Sequence, residues 1–170
     1  MKYICYYESP FGTITLASDG EAITGLWFEG QKYYGAGLDA NPQEKELPIF
    51  EETKEWLDFY FNGRDPGFCP KLKVNETSFR KEVWDILLTI PYGKTMTYGE
   101  IAKILAEKRG LKKMSAQAIG GAVAHNPISL LIPCHRVVGA DGSLTGYAGG
   151  VALKEKLLDR EKTGYGQHKN

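Results

Sequence analysis

The hydrophobic pattern of this 170-residue chain changes its period near residue 75, and this change limits the fold more than any other feature. Before that point, short strand-like runs alternate with turn sequences that contain Gly, Pro, Ser or Asp, which predicts an antiparallel meander. The runs and the turns between them are residues 3–8, 9–12, 13–17, 18–20 and 22–28. Apolar residues then recur at helical spacing from Ile49 to Phe61, and Asn62-Gly63 predicts the end of that helix.

The chain after residue 75 is predicted to be mainly helical. Thr77 or Ser78 is placed to cap a first helix that ends before the Pro91-Tyr92-Gly93 turn. Thr97 and Glu100 form a capping-box pattern that opens a second helix. We therefore expect an α+β protein, with an antiparallel sheet plus one helix at the N-terminus and a mainly α domain after it.

A third helix is predicted directly after Ser115, and residues 116–124 are almost all small. Small side chains let a helix approach another backbone closely. Two short helices joined by a turn within a basic stretch fit a helix-turn-helix whose second member is the recognition helix. Helical hairpins that bind no DNA give the same pattern, so periodicity alone leaves both interpretations open.

Charge is unevenly distributed, although the formal net charge is zero. Residues 1–75 contain seven Lys/Arg and twelve Asp/Glu, whereas residues 76–170 contain fourteen and nine. Seven of the basic residues lie between Lys94 and Arg136. The distribution predicts a scaffold domain at 1–75 and a second domain at 76–170 that faces a polyanion. A solvated basic surface would give the same counts.

Several classes of protein are excluded by the sequence. No apolar run approaches the roughly 18 residues that a membrane span needs. Glu8 and Pro10 interrupt the segment where a signal peptide would have its apolar stretch. The cysteines, Cys5, Cys69 and Cys134, are odd in number, which suits a reducing compartment. We expect a cytoplasmic protein with free thiols.

The reactive residue is predicted to be Cys134, a possible nucleophile that stands between Pro133 and His135 after an apolar run. A thiol attacks only as thiolate, and a nearby imidazole and positive charge favour that form. A small buried hydrophobic role is the simpler alternative, and it is the one we assign to Cys5 and Cys69. The remaining cysteines and histidines show no metal-ligand spacing, so we predict no metal.

Residues 126–162 carry a series of short motifs that are specific in combination. They are Asn126-Pro127, Ile132-Pro133-Cys134-His135-Arg136-Val137-Val138-Gly139, Gly146-Tyr147-Ala148-Gly149-Gly150, Lys154 and Leu157-Leu158-Asp159-Arg160-Glu161. With them the chain resembles the O6-alkylguanine-DNA alkyltransferases, or methylated-DNA–protein-cysteine methyltransferases. The resemblance is strong over residues 78–162. It implies a ribonuclease-H-like N-terminal domain, followed by a winged helix-turn-helix-like DNA-binding element and a Cys loop.

The resemblance also implies a reaction. Cys134 matches the residue that takes an alkyl group from guanine O6, and from O4-methylthymine, by in-line displacement. Because the thioether product is a poor leaving group, the protein is expected to be consumed after one turnover without a cofactor. His135 matches the base that removes the thiol proton through a water, and Glu161 matches the carboxylate that orients the imidazole.

Further positions carry over from the family. Tyr98 matches a phenol that donates a hydrogen bond to the damaged nucleobase. Asn126 matches a residue that braces the turn before the Cys loop, and Tyr147 matches a residue that forms one wall of the alkyl pocket. The remaining positions are predicted to contact the substrate or DNA. They are Ser115, Ala116, Gln117, Gly120, Arg136, Val137, Ala148 and Gly149. The expected partner is double-stranded DNA, bound in the minor groove by a monomer with little sequence preference and with the damaged base flipped out.

Two positions depart from the family pattern. Gln117 stands where the recognition helix usually has an arginine that fills the gap left by the flipped base. Ala148 stands where some members have a serine hydroxyl near the alkylated oxygen. The first lobe also lacks the Cys and His set that binds zinc in some relatives.

Two alternative functions remain open. A lesion-sensing, non-enzymatic member of the same fold would replace the cysteine of the motif, but Cys134 is present. A cysteine hydrolase that uses Cys134 and His135 would need an oxyanion hole and repeated turnover, and no hydrolase signature surrounds the cysteine.

Overall fold

The first lobe is built on an antiparallel meander, as the alternation of apolar runs and turns predicts. The structure, a computed structural model, describes residues 2–36, 38, 40–144, 147 and 149–167, with side chains up to residue 162. The strands are β1 (Tyr3–Ser9), β2 (Gly12–Ser18), β3 (Ile23–Phe28) and β4 (Gln43–Glu44). They lie in the order β3-β2-β1-β4, with β4 parallel to β1 and the other pairs antiparallel. The two-residue β4 was not predicted, because it has no apolar alternation.

The predicted N-terminal helix is α1 (Pro48–Phe61). It begins on Pro48, whose missing N–H would have no partner in a first helical turn. Its apolar stripe, which includes Phe50, Leu57 and Tyr60, is fully buried. One continuous hydrophobic core contains these residues together with Val83 and other side chains of the second lobe. The two lobes therefore share their core.

The second lobe is mainly helical, and the predicted N-caps are confirmed. Its helices are α2 (Ser78–Leu87), α3 (Tyr98–Lys108), α4 (Ala116–Ala124) and α5 (Val151–Gln167). Thr77 rather than Ser78 caps α2, Thr97 and Glu100 form the capping box of α3, and Ser115 caps α4. The α+β class is thus confirmed. Over the part of the chain that is described, no helix is long and apolar enough to cross a bilayer.

The open edge of β3 holds the segment that leads to the cysteine. The amide of Leu26 donates to the carbonyl of Pro127 at 2.9 Å, and the amide of Ser129 donates back to Leu26 at 3.0 Å. Residues 71–73, which lie between α1 and α2, pair with the same strand, since Ile23 forms a parallel bridge to Leu72. Strand pairing thus covers a sheet edge and fixes the Cys segment against the first lobe.

A second, two-stranded sheet fixes the chain on the other side of the cysteine. β5 (Met96–Thr97) lies parallel to β6 (Val137–Val138), which follows a short 3₁₀ helix at Cys134–Arg136. Because β5 runs directly into α3, this pairing places Tyr98 beside the Cys segment. Strands this short carry no periodic signal, and neither was predicted.

The side chain of Asn126 bonds to the backbone of the turn before the cysteine. Its side-chain carbonyl accepts from the amide of Ile128 at 2.9 Å, and its amide group donates to the carbonyl of Ile132 at 2.8 Å. Between these two residues the chain passes through Leu130 with φ 69°, a conformation that non-glycine residues seldom adopt. The buried side chain of Asn126 therefore holds an unusual turn that presents Cys134.

Replacing Asn126 with alanine is predicted to destabilise the protein by about 2 kcal/mol or more, because two buried backbone groups lose their partners. Urea denaturation gives the free energy of unfolding. The matched control is Asn75→Ala, which removes an exposed amide and is expected to change stability by less than about 0.5 kcal/mol. Equal stabilities of the two variants would show that Asn126 does not brace the turn.

Candidate active site

Cys134 begins the 3₁₀ helix and is almost completely buried. Burial raises the pKa of its thiol to about 11, although hydrogen bonding by Asn126 and the charge of Lys154 act in the opposite direction. The cysteine is therefore a thiol, not a thiolate, at neutral pH. A reaction at this sulfur requires a base that accepts its proton.

His135 is the next residue in the chain, and it is completely buried. Its Nε2 is hydrogen-bonded to Oε2 of Glu161, which α5 brings back to the Cys segment. Burial lowers the pKa of His135 against the opposing influence of Glu161, so the ring is neutral at pH 7. With Nε2–H donating to the carboxylate, the lone pair of a neutral imidazole lies on Nδ1. Nδ1 has no hydrogen-bond partner among the described residues.

Glu161 accepts hydrogen bonds from groups in several parts of the chain. Its Oε1 accepts from Nε of Arg136 at 2.9 Å and from the amide of Gly93 at 3.0 Å, and its Oε2 also accepts from the hydroxyl of Tyr60 at 2.7 Å. Burial raises the pKa of this carboxyl, but the charges and hydrogen bonds of His135 and Arg136 outweigh it and lower the pKa below its ordinary value. Glu161 is therefore ionised.

Two residues predicted to contact the substrate or DNA point inward instead. Arg136 is buried, and besides its bond to Glu161 it donates through a terminal nitrogen to the carbonyl of Ile90 at 2.8 Å. Val137 is completely buried in β6. Neither side chain is exposed for contact with DNA, because Arg136 balances the charge of Glu161 and Val137 packs in the hydrophobic core.

Tyr98 and Lys154 lie close enough to Cys134 for the charge of its thiolate to affect their pKa values. Tyr98 is in the first turn of α3, and Nζ of Lys154 lies 5.8 Å from the centre of its ring. Lys154 is completely buried, and its Nζ has no hydrogen-bond partner among the described residues. Burial lowers the pKa of this ammonium to about 8, and the charge of Cys134 opposes that shift. A cation here stabilises a thiolate.

Tyr147 and Gly149 are the described residues of interest directly before α5. Tyr147 is buried, and burial together with the charge of Cys134 raises the pKa of its phenol well above the ordinary value. A Cβ on Gly149 would lie 2.7 Å from the side chains of both Leu153 and Tyr147, so only glycine fits there without displacing them. Ala148, predicted to lie near the alkylated oxygen, falls outside the described residues.

The surface next to this site is the N-terminal half of α4. Ser115, Ala116 and Gln117 are exposed, and the side chain of Gln117 is free to extend from the first turn. A Cβ on Gly120 would lie 4.0 Å from the Tyr98 ring, an ordinary contact distance. The packing of this protein does not demand glycine at that position, and close approach to another molecule remains a reason for it.

The sequence alone does not indicate roles for Tyr60 and Lys154. Tyr60 belongs to the apolar stripe of α1, in a lobe that the sequence indicates only as a scaffold. Lys154 was only one of the residues that carry the family resemblance, and it stands in a helix rich in charged residues. No local pattern distinguishes a buried lysine from an exposed one in such a helix. Cys69, predicted to be structural and buried, is exposed.

Both lobes of the chain are similar to proteins of one known family. Two family models match the chain: the 6-O-methylguanine DNA methyltransferase ribonuclease-like domain over residues 2–73, and the DNA binding domain of the same family over residues 78–163. The chain is 40% identical over 167 residues to a methylated-DNA–protein-cysteine methyltransferase of Haemophilus influenzae, covering 96% of this chain and 88% of the relative. It is 42% identical over 159 residues to that of Methanosarcina acetivorans, covering 94% and 97%.

A solved structure shows the same architecture. It is that of Mycobacterium tuberculosis OGT in complex with DNA, with a TM-score of 0.82 and 38% identity, covering 95% of this chain and 94% of that one. Matches of this extent, over both lobes, include the Cys134 motif and the helices that surround it. This chain therefore belongs to the methylated-DNA–protein-cysteine methyltransferase family.

Proposed function

We propose that this protein repairs DNA by moving the alkyl group of O6-alkylguanine, and of O4-methylthymine, onto Cys134. The observation that carries the proposal is the bond between Glu161 and the ring of His135, which forms one buried unit with the cysteine. This unit lies beside a helix whose exposed first turn consists of small or polar residues. Family membership supplies the substrate class.

The chemistry follows from the protonation states in the site. The thiol proton passes through a water to Nδ1 of His135, and Glu161 stabilises the imidazolium that forms. The sulfur then attacks the alkyl carbon, the C–O6 bond breaks, and its electron pair stays on the base. Burial and the charge of Cys134 raise the pKa of Tyr98, so its phenol remains protonated and donates a hydrogen bond to the departing guanine.

The product explains why the reaction stops after one turnover. S-alkylcysteine is a thioether, and no described group of the site is a nucleophile able to displace the alkyl group from its sulfur. Neither the acid–base unit nor the nucleophile requires a cofactor in this scheme. Lys154, buried near the sulfur, stabilises the thiolate during its short lifetime.

The DNA surface in this proposal is α4 with the turn before it. Lys112 and Lys113 are exposed in that turn and supply phosphate contacts, whereas Ser115 and Ala116 allow the backbone to approach the minor groove. A stacked guanine cannot bring its alkyl carbon in line with a buried sulfur, so the base is flipped at a cost of a few kcal/mol. We assign the scaffold to residues 1–75 and the reaction to residues 76–170, and we expect a monomer that acts on chromosomal DNA in the cytoplasm.

One experiment separates this function from the alternatives. The protein is incubated with a duplex that contains a single O6-methylguanine, and its intact mass and modified peptide are determined. We expect one methyl group per protein molecule, on the peptide that contains Cys134. Binding without a mass change would indicate a lesion-sensing protein, and repeated turnover of an ester or amide substrate would indicate a hydrolase.

Replacing Cys134 with serine is predicted to abolish methyl transfer while DNA affinity stays within a few-fold, because a hydroxyl is a far weaker nucleophile. Transfer is measured by intact mass and affinity by fluorescence anisotropy. Cys5→Ser and Cys69→Ser are the controls, and both should remain active. Residual transfer above about a tenth of the wild-type amount would exclude Cys134 as the acceptor.

Replacing Glu161 with glutamine keeps the shape but removes the charge that stabilises the imidazolium. We expect the single-turnover rate at saturating DNA to fall at least about tenfold. Stability should fall by about 3 kcal/mol as well, since Arg136 loses its buried partner. Glu155→Gln, an exposed change on the same helix, is the control. A wild-type rate in a folded Glu161→Gln variant would remove Glu161 from the mechanism.

Gln117 is predicted to fill part of the gap left by the flipped base. Gln117→Arg should speed the repair of a well-paired lesion or tighten duplex binding, and Gln117→Gly should slow repair. Gln43→Arg adds the same charge to an exposed position in β4 and controls for general attraction to DNA. If both Gln117 variants repair and bind like the wild type, another residue does this work.

A further inference from the structure

A tyrosine of the first lobe bonds to Glu161, the carboxylate that holds His135, which is the general base of the proposed reaction. Tyr60 is completely buried near the end of α1, and its hydroxyl donates to Oε2 of Glu161 at 2.7 Å. Its ring is stacked on Trp56, with ring centres 5.3 Å apart and planes 6° apart, and it meets the edges of Phe61 and Tyr92. This packing leaves the phenol one orientation.

The hydroxyl of Tyr60 and the ring of His135 share one carboxylate oxygen. Both donate to Oε2 of Glu161, and the phenol oxygen lies 3.5 Å from Nε2 of His135. The other oxygen, Oε1, accepts from Arg136 and Gly93. An ionised carboxylate accepts about four hydrogen bonds, so the acceptor capacity of Glu161 is filled.

A donor on Oε2 weakens the attraction of that oxygen for a further proton. Hydrogen bonds to a carboxylate favour its charged form. Burial and the nearby charge of Glu161 raise the pKa of Tyr60 well above its ordinary value, so its phenol stays a donor. The hydrogen bond from Tyr60 offsets part of the negative charge of Glu161. Glu161 therefore favours protonation of His135 less strongly than it would without Tyr60. Among the described residues, the other titratable groups around this pair are Cys134, Arg136, Lys154, Tyr92 and Tyr147, with Asp65 and Arg160 next to Tyr92.

We propose that Tyr60 is a positioning residue of the alkyl transfer: the first lobe supplies its phenol to orient Glu161 and to keep His135 unprotonated at neutral pH, ready to take the thiol proton. This inference rests on the proposed function for its role in the reaction. The contact itself can be tested without any reaction. It gives the first lobe a part in the chemistry, where the sequence indicates only a scaffold.

The test is Tyr60→Phe, which keeps the ring and removes the donor. The single-turnover methyl-transfer rate at saturating DNA should fall at acidic pH, where His135 becomes protonated. In the variant the His135–Glu161 pair binds a proton more readily, so this acid limb should move to higher pH by about one unit. In the acidic range where the rate depends on pH, this shift makes the rate of the variant roughly tenfold lower than that of the wild type at the same pH. Above the limb the two rates should agree within a few-fold.

The matched control is Tyr7→Phe. The hydroxyl of Tyr7 also donates to a carboxylate on α1, to Oδ1 of Asp58 at 2.6 Å, but this pair is exposed and far from Cys134 in the chain. Its loss should leave the pH profile unchanged. A Tyr60→Phe variant with the wild-type profile would overturn the proposal. So would a rate that is lower by the same factor at every pH, because a merely structural role predicts that result.

A second measurement separates this proposal from the proposed function. The protonation midpoint of His135 is followed by ¹⁵N NMR in the protein without DNA, and Tyr60→Phe should raise it. If wild-type protein transfers no methyl group, the proposed function fails, while this shift still decides whether Tyr60 controls His135. Should Tyr60→Phe not fold, a fluorotyrosine at position 60, a stronger donor, should lower the midpoint; an unchanged or raised midpoint would overturn the proposal.

Discussion

The buried carboxylate of Glu161 is the interaction on which the rest of the site depends. An ionised carboxylate is tolerated inside a protein only when its charge is balanced and its lone pairs are occupied. Here the balance comes from Arg136, and the other donors are Tyr60, Gly93 and His135. These groups belong to α1, the turn after α2, and the Cys segment. One side chain of α5 thus draws together elements that are distant in the sequence, and the chemistry of Cys134 follows from that convergence.

Backbone pairing places the thiol, and side chains then set its reactivity. The edge of β3 holds residues 127–129, and β5 with β6 holds the chain after Arg136. Asn126 fixes the turn between these two anchors. The sulfur is therefore buried, and its raised pKa of about 11 keeps it protonated at neutral pH until a base removes its proton. Storage as a thiol suits a nucleophile that is used once.

Local chemistry explains which parts of the fold were predictable. A cap needs only a side chain and an amide two or three residues later, so Thr97 with Glu100, and Ser115, identified the starts of α3 and α4 correctly. Strands of two residues, such as β5, carry no pattern and were missed. The contact of Glu161 with His135 spans 26 residues, and only the family resemblance indicated it.

Tyr60, Lys154 and Arg136, whose roles the sequence did not indicate, share one property. Their roles depend on burial and not on their spacing along the chain. Tyr60 fits an apolar helical stripe whether or not its hydroxyl has a partner. Lys154 fits a solvated helix face until packing encloses it. Arg136 stands in a basic stretch, which indicates contact with DNA, yet it is turned inward by a carboxylate 25 residues away. Sequence periodicity locates elements, but it does not show which polar group meets which.

The charge and tautomer of His135 at neutral pH test this account most directly. In the ¹⁵N chemical shifts of the labelled protein, free of DNA, we expect a neutral ring that carries its proton on Nε2, bonded to Glu161, with Nδ1 unprotonated and able to accept the proton of Cys134. An imidazolium, or a neutral ring with the proton on Nδ1, would leave the thiol without a base and would contradict the account.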